Sequence, residues 1–466
     1  MKSEQNIESS SFRDNFGNVY NYQDRILRSI SSFGKPNYEF LKNSNILEDS
    51  IKAKYLIETK EIKKVEIPDF LMEFEHVLES QVVPFITYPY EWTFKQLKKA
   101  ALHHLNFQIF LINKGAVLRD ASAYNVQFIG GRPIFIDVLS IKKYEEGEYW
   151  LGYKQFCENF LNPLILGSKK GIYHNDWFRG ALEGIETKEI NKILNFKDKL
   201  SYKIFFHIFL QSKLIDRSLN KPSETKRKIK ELKKNPKSSY LAILMQLKNW
   251  ISKIEFKKDI SIWENYSKEH TYQNIEYDKK KEIVANFVNK IKPKKLIDLG
   301  CNTGDFSIIS LESGASNVVG FDFDHNAITE AYSKSLEGSL NFLPLILNAV
   351  NPSPSQGWMQ TERKGFMQRF KSDALIALAF EHHLIIAKNI PMSQFFEWIS
   401  KISKNGLLEF VPKSDATVQK MLENRDDIFF SYSEENFEMN LKKISIIKNK
   451  TKITDSGRVL YEYEVK

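Results

Sequence analysis

Residues 295–306, KLIDLGCNTGDF, constrain this chain most, because they join an apolar strand, a glycine turn and the start of a helix. The apolar run 296–299 has the length and composition of a buried strand. Gly300 and Gly304 follow it and predict a tight turn, where their missing Cβ atoms let the backbone approach a ligand closely. The segment therefore predicts a strand, turn and helix with a ligand-binding loop.

A second acidic residue supports this prediction. The apolar run 318–321 ends at Asp322, which lies 24 residues after Asp298, the length of one β-α-β unit. Ligands of such units bind at the carboxyl ends of the parallel strands. A carboxylate there can accept hydrogen bonds from two hydroxyl groups, so Asp322 suits the diol of a ribose.

The turn reads D-x-G-x-x-x-G, with Asn302 in its middle, and it lacks the three-glycine pattern of dinucleotide sites. It resembles motif I of the class I S-adenosylmethionine-dependent methyltransferases. The resemblance implies that Asp298 lies near the methionine end of the cofactor, Asp322 at the ribose and Asn348 at the adenine. The cofactor-binding candidates are Asp298, Gly300, Cys301, Asn302, Gly304, Asp322, Phe323 and Asn348. The alternative is an α/β domain whose glycines merely fit a tight turn.

Alternating strand and helix patterns continue to the C-terminus. The expected strands are 296–299, 318–321, 340–347, 374–379 and 406–411, followed by a hairpin of 444–447 and 459–465. This order predicts an α/β fold with a doubly wound sheet and an antiparallel edge. It resembles the seven-stranded, Rossmann-like methyltransferase sheet. A chain of 466 residues is long for one core, so we expect an N-terminal α+β domain over 1–255 and a methyltransferase domain over 256–466.

The catalytic candidates follow strands four and five of the expected sheet. His382 and His383 come directly after strand four, where a histidine can deprotonate an acceptor near neutral pH. Glu409 lies near the end of strand five and is expected at the same rim. A purely structural role for the two histidines is the alternative.

The N-terminal half contains a second constellation, Asp120, Asn125 and Asp137. Its spacing resembles the catalytic loop and metal-binding aspartate of protein kinases. The resemblance implies Asp120 as base, Asn125 and Asp137 as magnesium ligands, and ATP as cofactor, with Arg28 in place of the phosphate-pairing lysine. The glycine-rich loop, that lysine and D-F-G are all missing. The alternative is a plain hairpin over 126–136 whose turn is Gly130-Gly131.

Over nearly its full length the chain resembles a bacterial two-domain family of methyltransferases, some of whose members are described as host-specific nodulation proteins. The resemblance rests on RDASAYNVQFIGGRPIFIDVLS, YKQFCENFLNPLIL, DLGCNTGDFS, NPSPSQGW and EFVPKSDATVQ. It implies a methyltransferase acting on an unidentified acceptor. The N-terminal half would then either bind the acceptor or regulate the methyltransferase.

Composition leaves two other functions open. The net charge of +10 includes one dense basic run, 226–237, which suits either a solvated linker helix or an RNA or anionic partner. The two cysteines show no metal or disulfide spacing, and no secretory signal or membrane span is evident, so we expect a cytoplasmic protein. The rival functions are a kinase-like phosphotransferase with a degenerate methyltransferase domain, and a non-enzymatic RNA or membrane-surface adaptor.

Overall fold

The computed structural model of the chain describes residues 7–213, 236–257, 274–423 and 426–466. Most of the basic run 226–237 lies outside the described residues, as does the stretch 258–273 beside the expected domain boundary. Within the described ranges, no helix combines the length and the apolar character needed to cross a membrane.

The chain begins with a small antiparallel sheet of strands β1 (Val19–Tyr22), β2 (Arg25–Ser29), β3 (Thr59–Glu61) and β4 (Val77–Ser80). The strand order is β1-β2-β4-β3. Helices α1 (Lys35–Asn43) and α2 (Ile46–Lys52) connect β2 to β3. The sheet places Arg28 of β2 opposite Leu78 of β4.

A long helix, α3 (Phe94–Asn113), follows the small sheet. It begins with a capping box, in which Thr93 Oγ1 accepts from the Gln96 backbone N–H and the Gln96 side chain accepts from the Thr93 backbone N–H. Four short strands follow: β5 (Ala116–Leu118), β6 (Val126–Ile129), β7 (Arg132–Phe135) and β8 (Ile141–Lys143). They form the antiparallel pairs β5–β8 and β6–β7.

Helices complete the N-terminal half. They are α4 (Tyr153–Phe156), α5 (Asn162–Lys170), α6 (Asn175–Gly180), α7 (Thr187–Ile193), α8 (Phe196–Lys199), α9 (Tyr202–Ile204) and α10 (Lys237–Ile251). A π-helical segment, Cys157–Leu161, joins α4 to α5. Helix α10 packs against α3, so the last described part of this half returns to its central helix.

The C-terminal half is built on a large, mostly parallel sheet. Its strands are β9 (Lys295–Leu299), β10 (Asn317–Asp322), β11 (Phe342–Ile346), β12 (Ser372–Ala377), β13 (Ser403–Phe410), β14 (Ser445–Lys452) and β15 (Val459–Val465). Their order is β11-β10-β9-β12-β13-β15-β14. β9 to β13 pair in parallel, and β15 runs antiparallel to both of its neighbours. The carboxyl ends of β9 to β13 therefore meet at one edge.

Helices pack against both faces of this sheet. They are α11 (Asn274–Ile291), α12 (Asp305–Glu312), α13 (His325–Glu337), α14 (Phe366–Arg369), α15 (Glu381–Ile385), α16 (Met392–Ser400), α17 (Ala416–Leu422) and α18 (Glu434–Ile444). Leu296 of β9 packs in one apolar cluster with Val284 and Phe287 of α11. The next residue, Ile297, belongs to a separate core that contains Phe396 of α16. This alternation is the two-residue period of a strand covered on both sides.

The two halves share that second core. The Phe85 ring of the N-terminal half meets the Phe321 ring of β10 edge-on, with centroids 5.7 Å apart. Phe128 of β6 contacts Tyr332 of α13 in the same way, at 6.2 Å. Because separating the halves would expose these aromatic side chains to water, functional experiments are best made on the full chain.

A buried ion pair also joins the halves. The guanidinium of Arg369 contacts both carboxylate oxygens of Glu91, with 3.1 Å between Nη1 and Oε2, and both side chains are almost fully buried. The same guanidinium lies over the ring of Tyr88 at 4.3 Å. A bidentate pair of this kind fixes orientation as well as contact.

The Gly130-Gly131 hairpin turn docks on the C-terminal half. Gly130 has φ +55°, and a Cβ there would lie 2.2 Å from the carbonyl oxygen of Leu340. We expect Gly130→Ala to destabilise the protein by about 1–3 kcal/mol more than Gly115→Ala, because overpacking adds to backbone strain. Gly115 also has positive φ, at +81°, but no atom lies within 4 Å of its Cβ position. Urea unfolding of both variants measures the difference, and equal losses would contradict the docking contact.

Candidate functional site

The glycine turn lies between the carboxyl ends of β9 and β10. Gly300, Asn302 and Gly304 all adopt positive φ, at +75°, +48° and +86°. The Gly300 N–H donates to the carbonyl oxygen of Phe321 at 2.8 Å, which ties the turn to β10. Gly304 is the residue that precedes α12. Three residues in the left-handed region explain why the sequence places glycine at both ends of the turn.

The sequence predicts that the missing Cβ atoms of Gly300 and Gly304 leave space for a ligand. In the structure, the side chains of Phe342 and Phe380 lie nearest to those positions. A Cβ at Gly304 would lie 2.5 Å from Cε1 of Phe342, and one at Gly300 would lie 3.0 Å from Cδ2 of Phe380. The neighbours are protein side chains, one of them in the core. Glycine is therefore required at both positions for backbone conformation and packing, in addition to any contact with a ligand.

Asp322 ends β10 facing the turn. Its carboxylate accepts hydrogen bonds from the backbone N–H groups of Asn302 and Asp324, both at 3.0 Å. Burial raises the pKa of Asp322, although these backbone donors oppose the shift. Each carboxylate oxygen has a second lone pair, so the group can still accept hydroxyl hydrogen bonds. Phe323, the next residue, is 70% exposed and offers an aromatic face beside this acid.

Asp298 and Cys301 are buried beneath the turn. The Ser307 hydroxyl donates to Asp298 Oδ2 at 2.6 Å. Burial, assisted by the charge of Asp322, raises the pKa of Asp298 to about 7, while the Ser307 hydrogen bond opposes the shift. Burial also raises the pKa of the Cys301 thiol well above its usual value. Cys301 is therefore a buried, neutral thiol, and Asp298 is an acid whose charge changes near neutral pH.

Asp298 should make stability depend on pH. Its carboxyl binds a proton more tightly in the folded chain than in the unfolded one, where its pKa is near 3.8. The folded state therefore holds more protons between about pH 4 and 7, and this group's contribution to stability falls as pH rises through that window. We expect Asp298→Asn to flatten the fall. Denaturant unfolding of both proteins from pH 5 to 8 measures it, and parallel curves would contradict the prediction.

Asn348 lies exposed just beyond β11, at the same edge of the sheet. Its side-chain oxygen accepts from the backbone N–H of Val350 at 3.2 Å, which makes it a turn-capping residue. The following loop is held by Arg179 of α6, which donates to the carbonyl oxygens of Asn351 and Pro352. The N-terminal half thus builds one wall beside the expected adenine position.

His382 and His383 lie in α15, directly after β12, with ring centroids 4.3 Å apart. His382 is 1% exposed, and its Nδ1 lies 3.6 Å from Glu381 Oε2. Glu381 is itself fixed, because its Oε1 accepts from the Val411 backbone N–H and the Tyr432 hydroxyl. His383 is the less buried of the pair, and burial with the neighbouring His382 lowers its pKa to about 4. His383 is therefore a neutral imidazole at pH 7.

Glu409 does not lie at the rim where the sequence places it. Its side chain is fully buried, and Oε2 lies 2.6 Å from Nζ of Lys280 in α11. Oε1 lies 3.4 Å from Nη1 of Arg458, whose Nε contacts Asp415 at 2.7 Å. A carboxylate held between two buried cations is a structural element of the core. The expectation that Glu409 is a base at the pocket mouth is therefore corrected.

The second constellation comes together in the N-terminal half. Asn125 Nδ2 donates to Asp120 Oδ2 at 2.9 Å, and the Ser140 hydroxyl donates to the other oxygen. Burial, followed by the charge of Asp137, raises the pKa of Asp120 to about 6. Arg28 of β2 reaches Asp137 Oδ1 at 2.9 Å. Arg28 and Asp137 are far apart in sequence. The small sheet carries Arg28 and brings its side chain into contact with Asp137.

Asp120, Asn125, Asp137 and Ser140 line a pocket of about 650 Å³. Arg119 and Tyr124 contribute from the same loop, and Trp358 and Arg363 contribute from the C-terminal half. No lysine lines it in the part of the chain that the structure describes. Sequence reasoning missed Trp358 and Arg363, because they reach this pocket from a loop more than 200 residues away and no local pattern marks them.

Sequence comparison identifies a relative over almost the whole chain. The nodulation protein NoeA of Rhizobium meliloti (strain 1021) is 44% identical over 460 residues, which make up 98% of this chain and 95% of that protein. The chain belongs to the NoeA family of nodulation proteins. The NoeA name specifies neither a reaction nor an acceptor. No protein-family model matches the sequence.

Solved structures resemble parts of this NoeA-family chain. The N-methyltransferase NodS of Bradyrhizobium japonicum WM9, in complex with S-adenosylhomocysteine, is 11% identical; the match covers 42% of the chain and 89% of NodS, with a TM-score of 0.32. The bifunctional kinase-methyltransferase WbdD is 16% identical; the match covers 40% of the chain and 39% of WbdD, with a TM-score of 0.29. Likenesses of this size do not assign an activity to the NoeA-family chain.

Proposed function

We propose that the C-terminal half binds S-adenosylmethionine and transfers its methyl group to an acceptor. The observation that supports this most directly is Asp322 at the end of β10, held by the backbone N–H of Asn302 in the glycine turn and by that of Asp324, and followed by the exposed Phe323. The carboxylate can accept hydrogen bonds from a ribose diol, and the aromatic ring can stack on the adenine of the cofactor. Both lie at the carboxyl edge of parallel strands, where such ligands bind.

The acids of the turn favour a cationic ligand over a pyrophosphate. The two acids interact electrostatically, since the charge of Asp322 opposes the ionisation of Asp298. Two acids beneath a turn repel phosphates, whereas the positive sulfonium of S-adenosylmethionine would stabilise the ionised form of Asp298. When bound, the cofactor supplies an electrophilic methyl group. The remaining proposed contacts are Gly300, Asn302 and Gly304 in the turn, and Asn348 beyond β11.

We assign proton transfer to His383. Methyl transfer needs an in-line approach of the nucleophile and, for many acceptors, a base. The lowered pKa leaves the His383 imidazole neutral at pH 7 but only weakly basic, and the residue follows β12, the strand next to β9. Buried His382 packs against it and would limit its orientations. His382 is therefore proposed as a positioning residue.

A displacement experiment on the full chain tests this function. Labelled S-adenosylmethionine is bound first, and unlabelled S-adenosylhomocysteine, NAD⁺ or ATP is then added. We expect S-adenosylhomocysteine to displace the label and the two nucleotides to leave it bound. Displacement by NAD⁺ at lower concentration would indicate a dinucleotide site, and failure of the label to bind would refute the proposal.

A second candidate function, phosphoryl transfer in the N-terminal half, is favoured by the convergence of Asp120, Asn125 and Asp137 on one pocket. Two carboxylates and an amide oxygen are suitable ligands for magnesium. Arg28, the replacement for the phosphate-pairing lysine, already contacts Asp137 and Asp14, at 2.9 and 3.4 Å. The residues thus fit a divalent cation better than the phosphates of ATP.

We therefore expect the full chain to show no magnesium-dependent ATP turnover. Release of phosphate is measured with wild-type protein and with Asp137→Ala. Turnover that disappears in Asp137→Ala would make phosphoryl transfer the leading function.

A further inference from the structure

We propose that Glu39, Glu75 and His76 bind one divalent transition-metal ion on the small N-terminal sheet. They come from two segments of the chain: Glu39 lies on α1, and Glu75 and His76 directly precede β4. One ligand atom from each residue lies within 4.8 Å of the other two. The cluster is separate from the glycine-turn site and from the pocket of Asp120, and it does not depend on the methyltransferase proposal.

Glu61 of β3 orients the imidazole of His76. His76 Nδ1 lies 2.6 Å from Glu61 Oε1, and an anionic carboxylate can only accept, so Nδ1 carries the proton. Glu61 is held in turn, because its Oε2 accepts from Lys42 Nζ at 2.6 Å and from the Tyr38 hydroxyl at 3.1 Å. A carboxylate behind a histidine in this way is the usual support for a metal-binding imidazole. It leaves Nε2 with a lone pair.

That lone pair lacks a partner. His76 Nε2 is buried and makes no hydrogen bond among the described residues. The nearest carboxylate oxygens are Oε1 of Glu75 at 3.8 Å and Oε1 of Glu39 at 3.9 Å. These distances exceed hydrogen-bond length. Two carboxylates therefore converge on Nε2 of the imidazole without forming a hydrogen bond to it.

A metal ion explains this spacing. Donor atoms about 2.1 Å from one tetrahedral ion lie roughly 3.4 Å apart. The carboxylate oxygens of Glu39 and Glu75 would therefore move about 0.5 Å toward His76 Nε2 and at most about 1.4 Å toward each other. Both glutamates have room to move, because their side chains are 44% and 62% exposed. One imidazole nitrogen with two carboxylate oxygens suits zinc and similar ions, whereas calcium and magnesium prefer oxygen ligands alone.

Lys35 shows how the cluster is balanced without an ion. Its Nζ lies 2.5 Å from Oε2 of Glu75 and 3.8 Å from Oε1 of Glu39. The ammonium offsets the repulsion between the two carboxylates but does not reach His76, and Glu75 Oε1 is left for an ion. A bound ion would link α1 to β4. The His76 carbonyl oxygen also accepts from the Ile30 N–H, just beyond β2, so the link would stiffen the sheet that carries Arg28.

The test is a calorimetric titration of chelator-treated, full-length protein with Zn²⁺ and, separately, with Mg²⁺. We expect one Zn²⁺ per chain and no comparable Mg²⁺ binding. His76→Gln and Glu75→Gln should each weaken Zn²⁺ binding at least tenfold, and Glu61→Gln by about 10- to 100-fold. Glu48→Gln is the matched control, since Glu48 is equally exposed and forms a helical ion pair with Lys52 away from the cluster.

Co²⁺ substitution adds a spectroscopic readout. Its visible absorption should appear in wild type and in Glu48→Gln and should be lost in Glu75→Gln. Because Glu75 is exposed, that variant is expected to fold even if His76→Gln does not. A wild-type chain that binds no stoichiometric Zn²⁺, or a Zn²⁺ affinity unchanged by both Glu75→Gln and His76→Gln, overturns the proposal.

Discussion

Replacing Asp322 with alanine is expected to weaken the binding of S-adenosylmethionine by about ten- to a hundredfold. The loss of hydrogen bonds to a charged acceptor costs about 1.5–3 kcal/mol, which corresponds to that range. Asp322→Asn keeps one carbonyl acceptor and should lose less affinity. Equilibrium dialysis with labelled cofactor measures the affinity of the wild type, Asp322→Ala and Asp322→Asn.

Asp324→Ala is the control for Asp322→Ala. Asp324 lies two residues away and caps α13, where its carboxylate accepts from the N–H groups of Asn326 and Ala327. Its loss should lower stability, as loss of a helix cap does, with little change in affinity. A folded Asp322→Ala protein that binds the cofactor as tightly as wild type would contradict the ribose assignment.

Glu409→Gln is expected to cost about 3–5 kcal/mol of unfolding free energy, because breaking a buried ion pair by removing one partner is strongly destabilising. The amide preserves the shape of the side chain but leaves buried Lys280 without the carboxylate that contacts it at 2.6 Å. Arg458 would retain Asp415. Urea unfolding measures the loss.

The matched control is Glu464→Gln on β15. Glu464 also lies between two cations, Lys404 and Lys448, but on the surface. Surface pairs contribute little, so its stability should be close to wild type. If Glu409→Gln were as stable as wild type and lost only methyl transfer, Glu409 would return as a catalytic base.

Local patterns explain why much of the C-terminal half was predictable. The apolar run after Lys295, the turn glycines and the acid 24 residues after Asp298 all act within one β-α-β unit, and β9, α12 and β10 lie where these patterns place them. The start of helix α3 is specified just as locally, because Thr93 and Gln96 form its capping box within four residues. In each case the signal and the structure it specifies are neighbours in sequence.

Contacts between distant segments explain what the sequence did not reveal. Glu409 looks like a polar residue at a strand end, and only the fold brings Lys280, 129 residues earlier, against it. The glycines of the turn looked like clearance for a ligand, whereas Phe342 and Phe380 occupy the nearest space. The hairpin turn alone is enough to explain a glycine at position 130, yet Gly130 also packs against Leu340 of the other half. Such requirements arise from tertiary packing and leave no periodic pattern.

The most direct test of the proposed methyltransferase site is a calorimetric titration of the full chain with S-adenosylmethionine and, in parallel, with ATP and magnesium. The geometry around Asp322 predicts saturable binding of one S-adenosylmethionine per chain and a much weaker response to ATP. Saturable ATP binding with no heat from S-adenosylmethionine would contradict the account and would move the activity to the pocket of Asp120 and Asp137.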